Sequence, residues 1–173
     1  MNQVLGTIAA RYSVRRFTGD PVPAESVNLI LEAGRRAPSA GNLQPWYFVV
    51  VGKRGLQEGL ARAAGQTFVA SAPLCLAVCA EPERSARVYG RRGRDLYCYQ
   101  DAAAATQNIL LAAASLGLGA CWVGAFDEDA VREVLHLPAR LRPVALVPVG
   151  YPAPGQSGGG PRRDMAEVAM FCF

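Results

Sequence analysis

Arg11, Ser13 and Arg15 lie close together in the segment Arg11-Tyr12-Ser13-Val14-Arg15-Arg16-Phe17. Two guanidinium groups and a hydroxyl at that spacing can grip a phosphate, each charge-assisted hydrogen bond contributing about 1.5–3 kcal/mol. If the segment is extended, positions 11, 13 and 15 project to one side and Arg16 to the other. The same residues also suit a basic surface loop paired with nearby carboxylates, and residue types alone do not separate the two readings. A second segment, Ala37-Pro38-Ser39-Ala40-Gly41-Asn42-Leu43-Gln44-Pro45-Trp46, gathers turn formers and amide side chains ahead of an aromatic and a strand. A GxGxxG fingerprint after a first strand and a Walker loop are both absent. Gly117-Leu118-Gly119 follows a helical stretch instead of opening one, so any nucleotide must be held by other donors.

Other chemistries find less support. His136 is the sole histidine and falls in Val134-Leu135-His136-Leu137, which reads as a packed or surface position. Cys75 and Cys79 sit in the apolar run Leu74-Cys75-Leu76-Ala77-Val78-Cys79 and read as small core side chains; Cys98, Cys121 and Cys172 complete an odd count. Neither a disulfide framework nor a metal site is indicated. The net charge of +4 is almost wholly arginine, since Lys53 is the only lysine. Arg84, Arg87, Arg91, Arg92 and Arg94 cluster, but no aromatic platform, recognised motif or second basic stripe supports nucleic-acid binding. A solvated loop or a funnel for an anionic ligand fits that cluster better. No apolar run reaches the roughly 18 residues that a membrane span requires. The N-terminus lacks the pattern of a secretory signal, which points to the cytoplasm.

The elements that must position these residues follow from periodicity and punctuation. The length of 173 residues and 51% hydrophobic content suit one domain, 1–173, with a real core. Residues 2 to 10 read as a short helix, and Pro23 to about Arg36 as a second, with Val27, Ile30, Leu31 and Gly34 on one face. Tyr47 to Val51 and Leu74 to Ala80 read as buried strands, and residues 55 to 64 as a helix between them. The arginine-rich stretch 81 to 97 has no clean period and reads as a surface excursion. Asp101 opens an alanine-rich helix, Ala102 through Ser115, that stops at Gly117. Asp127 caps a helix running to about His136. Pro143 to Gly150 reads as a strand whose two prolines demand an edge position or irregular pairing. Pro152 to Pro161 reads as a flexible linker, and the apolar tail Met165 to Phe173 must be buried somewhere. Together these elements describe an α+β domain with a central mixed sheet covered by helices.

The two opening segments resemble the R-x-S-x-[RK]-x-F and A-P-S-x-x-N-x-Q-P-W motifs of the FMN-dependent nitroreductase family. Gln100-Asp101-Ala102 through Trp122-Val123-Gly124-Ala125-Phe126 is similar to that family's long central helix and the G-L-G-x-x-W-V-G-x-F element after it. Pro161-Arg162-Arg163 resembles its C-terminal basic pair. The matches run in the family's order from position 11 to 163, almost the whole chain.

The resemblance implies a mainly antiparallel sheet and a homodimer with FMN at the interface, each C-terminal segment being exchanged with the partner. Arg11, Ser13 and Arg162 would bind the phosphate, with Arg163 beside them and Tyr12 contributing backbone. Arg15 would reach the pyrimidine edge near N1 and O2, where reduction leaves negative charge. Pro38, Ser39, Ala40, Asn42 and Gln44 would come from the partner subunit. Val123, Gly124 and Ala125 would lie against the flavin, a backbone N–H near N5, and Gln66 would touch its edge. No side chain need act as a catalytic acid or base. The implied activity is a ping-pong oxidoreductase passing hydride from NAD(P)H through FMN to nitroaromatics, quinones or similar small acceptors, with the Arg84–Arg94 loop as a candidate lid. The alternatives are a flavin-binding module without turnover and a sister flavin chemistry on the same scaffold. A dehalogenase of that kind needs a Glu–Tyr–Lys grip that a chain with Lys53 alone does not offer.

Overall fold

A computed structural model describes residues 2–173. In chain order it contains α1 (Gln3–Ala10), α2 (Ala24–Arg35), β1 (Trp46–Val51), α3 (Arg54–Ala64), β2 (Leu74–Ala80), α4 (Pro82–Arg92), α5 (Cys98–Ser115), β3 (Gly119–Ala120), α6 (Glu128–Val134), β4 (Arg142–Gly150) and α7 (Met165–Val168). The four strands form one antiparallel sheet in the order β1-β2-β4-β3, and a parallel bridge joins Ser13 to Ala120 at its β3 edge.

β2 is apolar at every position because both of its faces are covered. Leu74, Leu76 and Val78 point to one layer, where they meet Ile30 of α2 and Ile109 of α5; Cys75 and Ala77 point to the other, with Leu60 of α3 and Val131 of α6. Burial pushes the Cys75 and Cys79 thiols up to about 12, so these cysteines are inert filling. The alanines of α5 let it pack closely: Ala102, Ala105 and Ala113 are fully buried along with Ile109. α6 starts where Asp127 accepts the Ala130 N–H at 3.0 Å, as its sequence position suggests.

Of the two arrangements its prolines allow, β4 takes irregular pairing: it is an interior strand. A register shift between Val78 and Cys79 takes up Pro143. Pro148 accepts from the Cys121 N–H at 3.3 Å, so its own nitrogen faces the side where β3 has already ended. Two other expectations, on residues 82–97 and on 152–161, are corrected. Residues 82–97 are helical: Pro82 opens α4, and a π-turn from Gly93 to Tyr97 runs straight into α5. The exposed arginines conceal the period, and Gly90 breaks the dihedral pattern at φ 55°. The first part of the 152–161 segment is tied down, since Pro152 bridges Phe17 and the Gln156 side chain bonds the 15–16 backbone.

Two parts of the chain remain uncovered. α1 buries none of its residues although Val4, Leu5 and Ile8 are apolar, Val4 being 64% exposed. The tail is equally bare, with Phe171 68% exposed.

Candidate functional site

The segment after α1 is extended because its backbone is claimed from both sides. The Arg11 N–H closes α1 on Thr7 O at 3.0 Å, and the Val14 N–H donates to Ala120 O at 3.0 Å. The Thr18 N–H donates to Tyr151 O, and the Ala153 N–H to Arg16 O. Gln156 completes the frame: its Oε1 accepts the Arg15 and Arg16 N–H groups at 3.3 and 3.1 Å, and its Nε2 donates to Arg16 O at 2.7 Å. With Val14 buried against Gly119, alternation of the extended backbone turns Ser13 and Arg15 the opposite way, while Arg11, at the end of α1, lines the same cleft as Tyr12 and Val14.

Arg11 and Arg15 make no ion pair and no side-chain hydrogen bond among the described residues, whereas Arg35, Arg36, Arg54, Arg91, Arg94, Arg140, Arg142 and Arg163 all pair with carboxylates. Arg11 also lines a cleft of about 480 Å³ with Thr7, Tyr12, Ala114, Gly119 and Pro152. The Arg15 guanidinium lies 6.0 Å from the Phe68 ring centroid, next to the short turn that Gln66 opens. Gly158 rests on Tyr12, and Arg162 follows it in the same segment, donating to Gly160 O at 3.0 Å. Arg163 is turned to Glu167.

Beyond Ala120 the chain runs along β4, where Val123 and Leu146 exchange both backbone hydrogen bonds at 2.9 Å. Alternation along the strand turns the Gly124 N–H outward, and it has no partner among the described residues. The Ser13–Ala120 bridge is parallel, so Arg15 is carried in the direction of Trp122 and Gly124.

The second motif sits elsewhere. Ser39 Oγ accepts the Gln44 N–H at 3.0 Å, Gln44 Nε2 donates to Asn42 Oδ1 at 3.2 Å, and the Ala40 N–H donates to Asp101 Oδ1 at 3.1 Å. Arg84 Nε donates to Leu43 O, and the Glu81 N–H to Pro45 O at 2.8 Å. Pro38 precedes this turn on the way out of α2. One motif thus packs at the start of α5 beside Asp101 and the other at its end beside Ala114, about 20 Å apart at 1.5 Å per residue. Within one chain the structure does not bring them together.

Sequence reasoning missed Gln156 and undervalued Asp101. Gln156 stands 140 positions from Arg16, beyond the reach of any local pattern. Asp101 carried one signal, a lone carboxylate at the head of an alanine run. The arginines of α4 and the π-turn after it are mostly engaged, Arg84 with Leu43 O, Arg91 with Asp95, Arg92 with Tyr97 and Arg94 with Glu83, leaving Arg87 without a hydrogen-bond partner among the described residues.

The nitroreductase family model matches residues 8–67 and 54–151. The chain belongs to the nitroreductase family. An NADH dehydrogenase of Thermus thermophilus is 34% identical over 83% of this chain and 83% of its own length. An FMN reductase (NADPH) of Bacillus subtilis is 29% identical over 97% of this chain and 73% of that protein. The crystal structure of nitroreductase A from Vibrio parahaemolyticus superposes with a TM-score of 0.89 at 31% identity, covering 99% of this chain and 76% of that one. No helix among the described residues is long and apolar enough to cross a membrane.

Proposed function

We propose that the protein is a cytoplasmic NAD(P)H-dependent flavin oxidoreductase that holds FMN between two copies of itself and passes hydride to electron-poor acceptors such as nitroaromatics and quinones. The observation that carries this reading is the pair Arg11 and Arg15, two guanidinium groups without carboxylate partners on one extended edge. The donor set fits the cofactor. Arg11 and Ser13, with Arg162 from the C-terminal segment, suit a phosphate, while Arg163 would first have to leave Glu167. Arg15 suits the pyrimidine edge, and the outward Gly124 N–H suits N5, with Val123 and Ala125 flanking it. Gln66 opens the short turn that carries Phe68, the ring beside Arg15, and is assigned to the same edge.

Bound FMN supplies hydride uptake and release at N5. The chain's residues bind, orient and tune: the fixed positive charge of Arg15 favours the reduced, anionic form. Donor and acceptor use one site in turn, which is a ping-pong cycle. The separation of the two motifs along α5 supports a two-fold dimer, because antiparallel pairing of two α5 helices sets the loop of Pro38, Ser39, Ala40, Asn42 and Gln44 from one subunit against Arg11–Arg15 of the other. Uncovered α1 and the exposed tail supply apolar surface for that interface, and the free edge of β1 can accept the partner's C-terminal segment.

An absorption spectrum of purified protein, before and after anaerobic NADPH, tests the reading. A yellow dimer that NADPH bleaches and a quinone recolours is expected. Colourless, monomeric protein that ignores added FMN would overturn it, and a yellow one that NAD(P)H leaves unchanged would reduce it to a binding module.

A further inference from the structure

Asp101 is the one acidic or basic side chain buried among the described residues, at 7% exposure, in a helix whose other buried side chains are all uncharged. One carboxylate oxygen accepts the Ala40 N–H at 3.1 Å, while Oδ2 is buried with no partner. A carboxylate held this way costs stability, and a neutral residue would serve α5 better. The loop it touches is strained in its own right. Gly41, Asn42 and Gln44 have φ of 57°, 54° and 51°, and two of these are residues with a Cβ. Gly41 is also pressed on Tyr89, whose hydroxyl would stand 2.7 Å from any Cβ there. Such a conformation persists only where its surroundings over-determine it.

We propose that Asp101 is a positioning residue that acts across the dimer: through the Ala40 N–H it fixes the 39–44 loop in the shape that the partner subunit's FMN requires. This rests on the proposed flavin site at the interface. Asp101 touches neither cofactor nor substrate. Its effect passes through one hydrogen bond at the head of the loop, while Ser39 Oγ and Arg84 hold the rest. The burial of an unpaired oxygen is the stability cost of that geometry.

The test uses FMN itself and full-length dimers. Asp101→Leu removes the acceptor and is expected to weaken FMN binding on the order of ten- to a hundredfold, the value of one charge-assisted hydrogen bond. Asp101→Asn keeps an acceptor for Ala40 and is expected to restore wild-type affinity. A merely structural role would move the unfolding midpoint and leave the Kd for FMN in place. Ala40→Pro deletes the donor instead: Ser39 is already extended at φ −145° and ψ 152°, and the first position of a helical turn accepts proline. It should reproduce the Leu phenotype even if the Leu variant folds poorly.

The decisive arm is a heterodimer of one Arg15→Ala chain and one Asp101→Leu chain. If Asp101 serves the partner's flavin, both lesions fall on one site, and the heterodimer binds one FMN with wild-type affinity. If no site of wild-type affinity survives, or if the Leu and Pro homodimers bind FMN like the wild type, the proposal is overturned. Wild-type protein that binds no FMN would overturn the flavin site and this inference with it; wild type that binds FMN and loses it in the Arg15→Ala homodimer, but not in the Leu and Pro homodimers, would keep the site and overturn this inference alone.

Discussion

Val14 and Gly119 are packed so closely that a Cβ on Gly119 would stand 2.6 Å from Val14 Cγ2. This contact seats the arginine-bearing segment on the edge of the sheet and turns Ser13 and Arg15 outward. Gly119→Ala must push that segment away, at a cost of about 1–3 kcal/mol for overpacking. Thermal unfolding should report the loss, and FMN affinity should fall with it. Gly55→Ala is the control: a Cβ there meets nothing within 4 Å, and replacing a helical glycine stabilises by about 0.5–1 kcal/mol.

Gln156 holds the same segment through its amide. Gln156→Leu leaves the Arg15 and Arg16 N–H groups without their acceptor and should cost about 1–3 kcal/mol. Gln156→Glu keeps that acceptor but loses both donations, to Arg16 O and Ala153 O. Its unfolding midpoint should fall between those of wild type and the Leu variant. Equal midpoints for all three would remove the role given to this side chain.

The parts of the molecule that were legible in sequence are those governed by neighbours in the chain. Leu74–Ala80 is apolar without alternation because both faces are buried, and that is how a covered strand reads. Ile30 and Gly34 are the buried positions of α2, at the spacing the helix demands. The segment after α1 is extended, as its alternating residue types suggest, with Ser13 bridged to Ala120. What escaped depends on distant partners. The covering of β4 by β3, which makes it interior, is set by two residues, Gly119 and Ala120, too few to read as a strand. α4 hides its period because its outward face is crowded with arginines while a single small residue, Ser85, is buried. The Asp101–Ala40 bond spans 61 positions and leaves no trace in either local pattern.

Two carboxylates should pull acid stability in opposite directions. Hydrogen bonds from Arg35 and Arg36 hold the Glu32 carboxyl down at about 2, below its ordinary 4.5. Its contribution is therefore complete above pH 4.5 and is lost as pH falls toward 2. Asp101 is raised above its ordinary 3.8 by burial, so the folded state binds its proton more tightly and stability declines as pH rises past 3.8. Glu32→Gln should flatten the first slope and Asp101→Asn the second, read as unfolding midpoints across the acid range. Because the Glu32 pair is exposed, its slope should shrink further in high salt.

On α4, the side chains that could meet an anionic donor are fewer than the arginine count suggests. Arg91, Arg92 and Arg94 already bond Asp95, Tyr97 and Glu83, so Arg87 is the group left to serve a dinucleotide phosphate. Arg87→Ala should raise the KM for NAD(P)H more than Arg91→Ala or Arg92→Ala, with kcat little changed. The reverse order would assign the α4 arginines a different task.

The tail carries the last and most direct consequence. Met165, Val168, Met170, Phe171 and Phe173 are all exposed in the single chain, and β1 ends the sheet with Tyr47 and Val50 facing outward. An unpaired strand edge and an apolar segment without a core are each unstable in water, and in the proposed dimer they would satisfy one another. Removing residues 165–173 should therefore leave the four-stranded sheet intact by far-UV circular dichroism while weakening the dimer, seen as a concentration-dependent shift toward monomer on gel filtration. FMN should dissociate in parallel if its site draws on both subunits, as proposed. A truncated protein that stays dimeric and yellow at nanomolar concentration would show that α1 and α5 suffice for the interface and that the tail lies elsewhere.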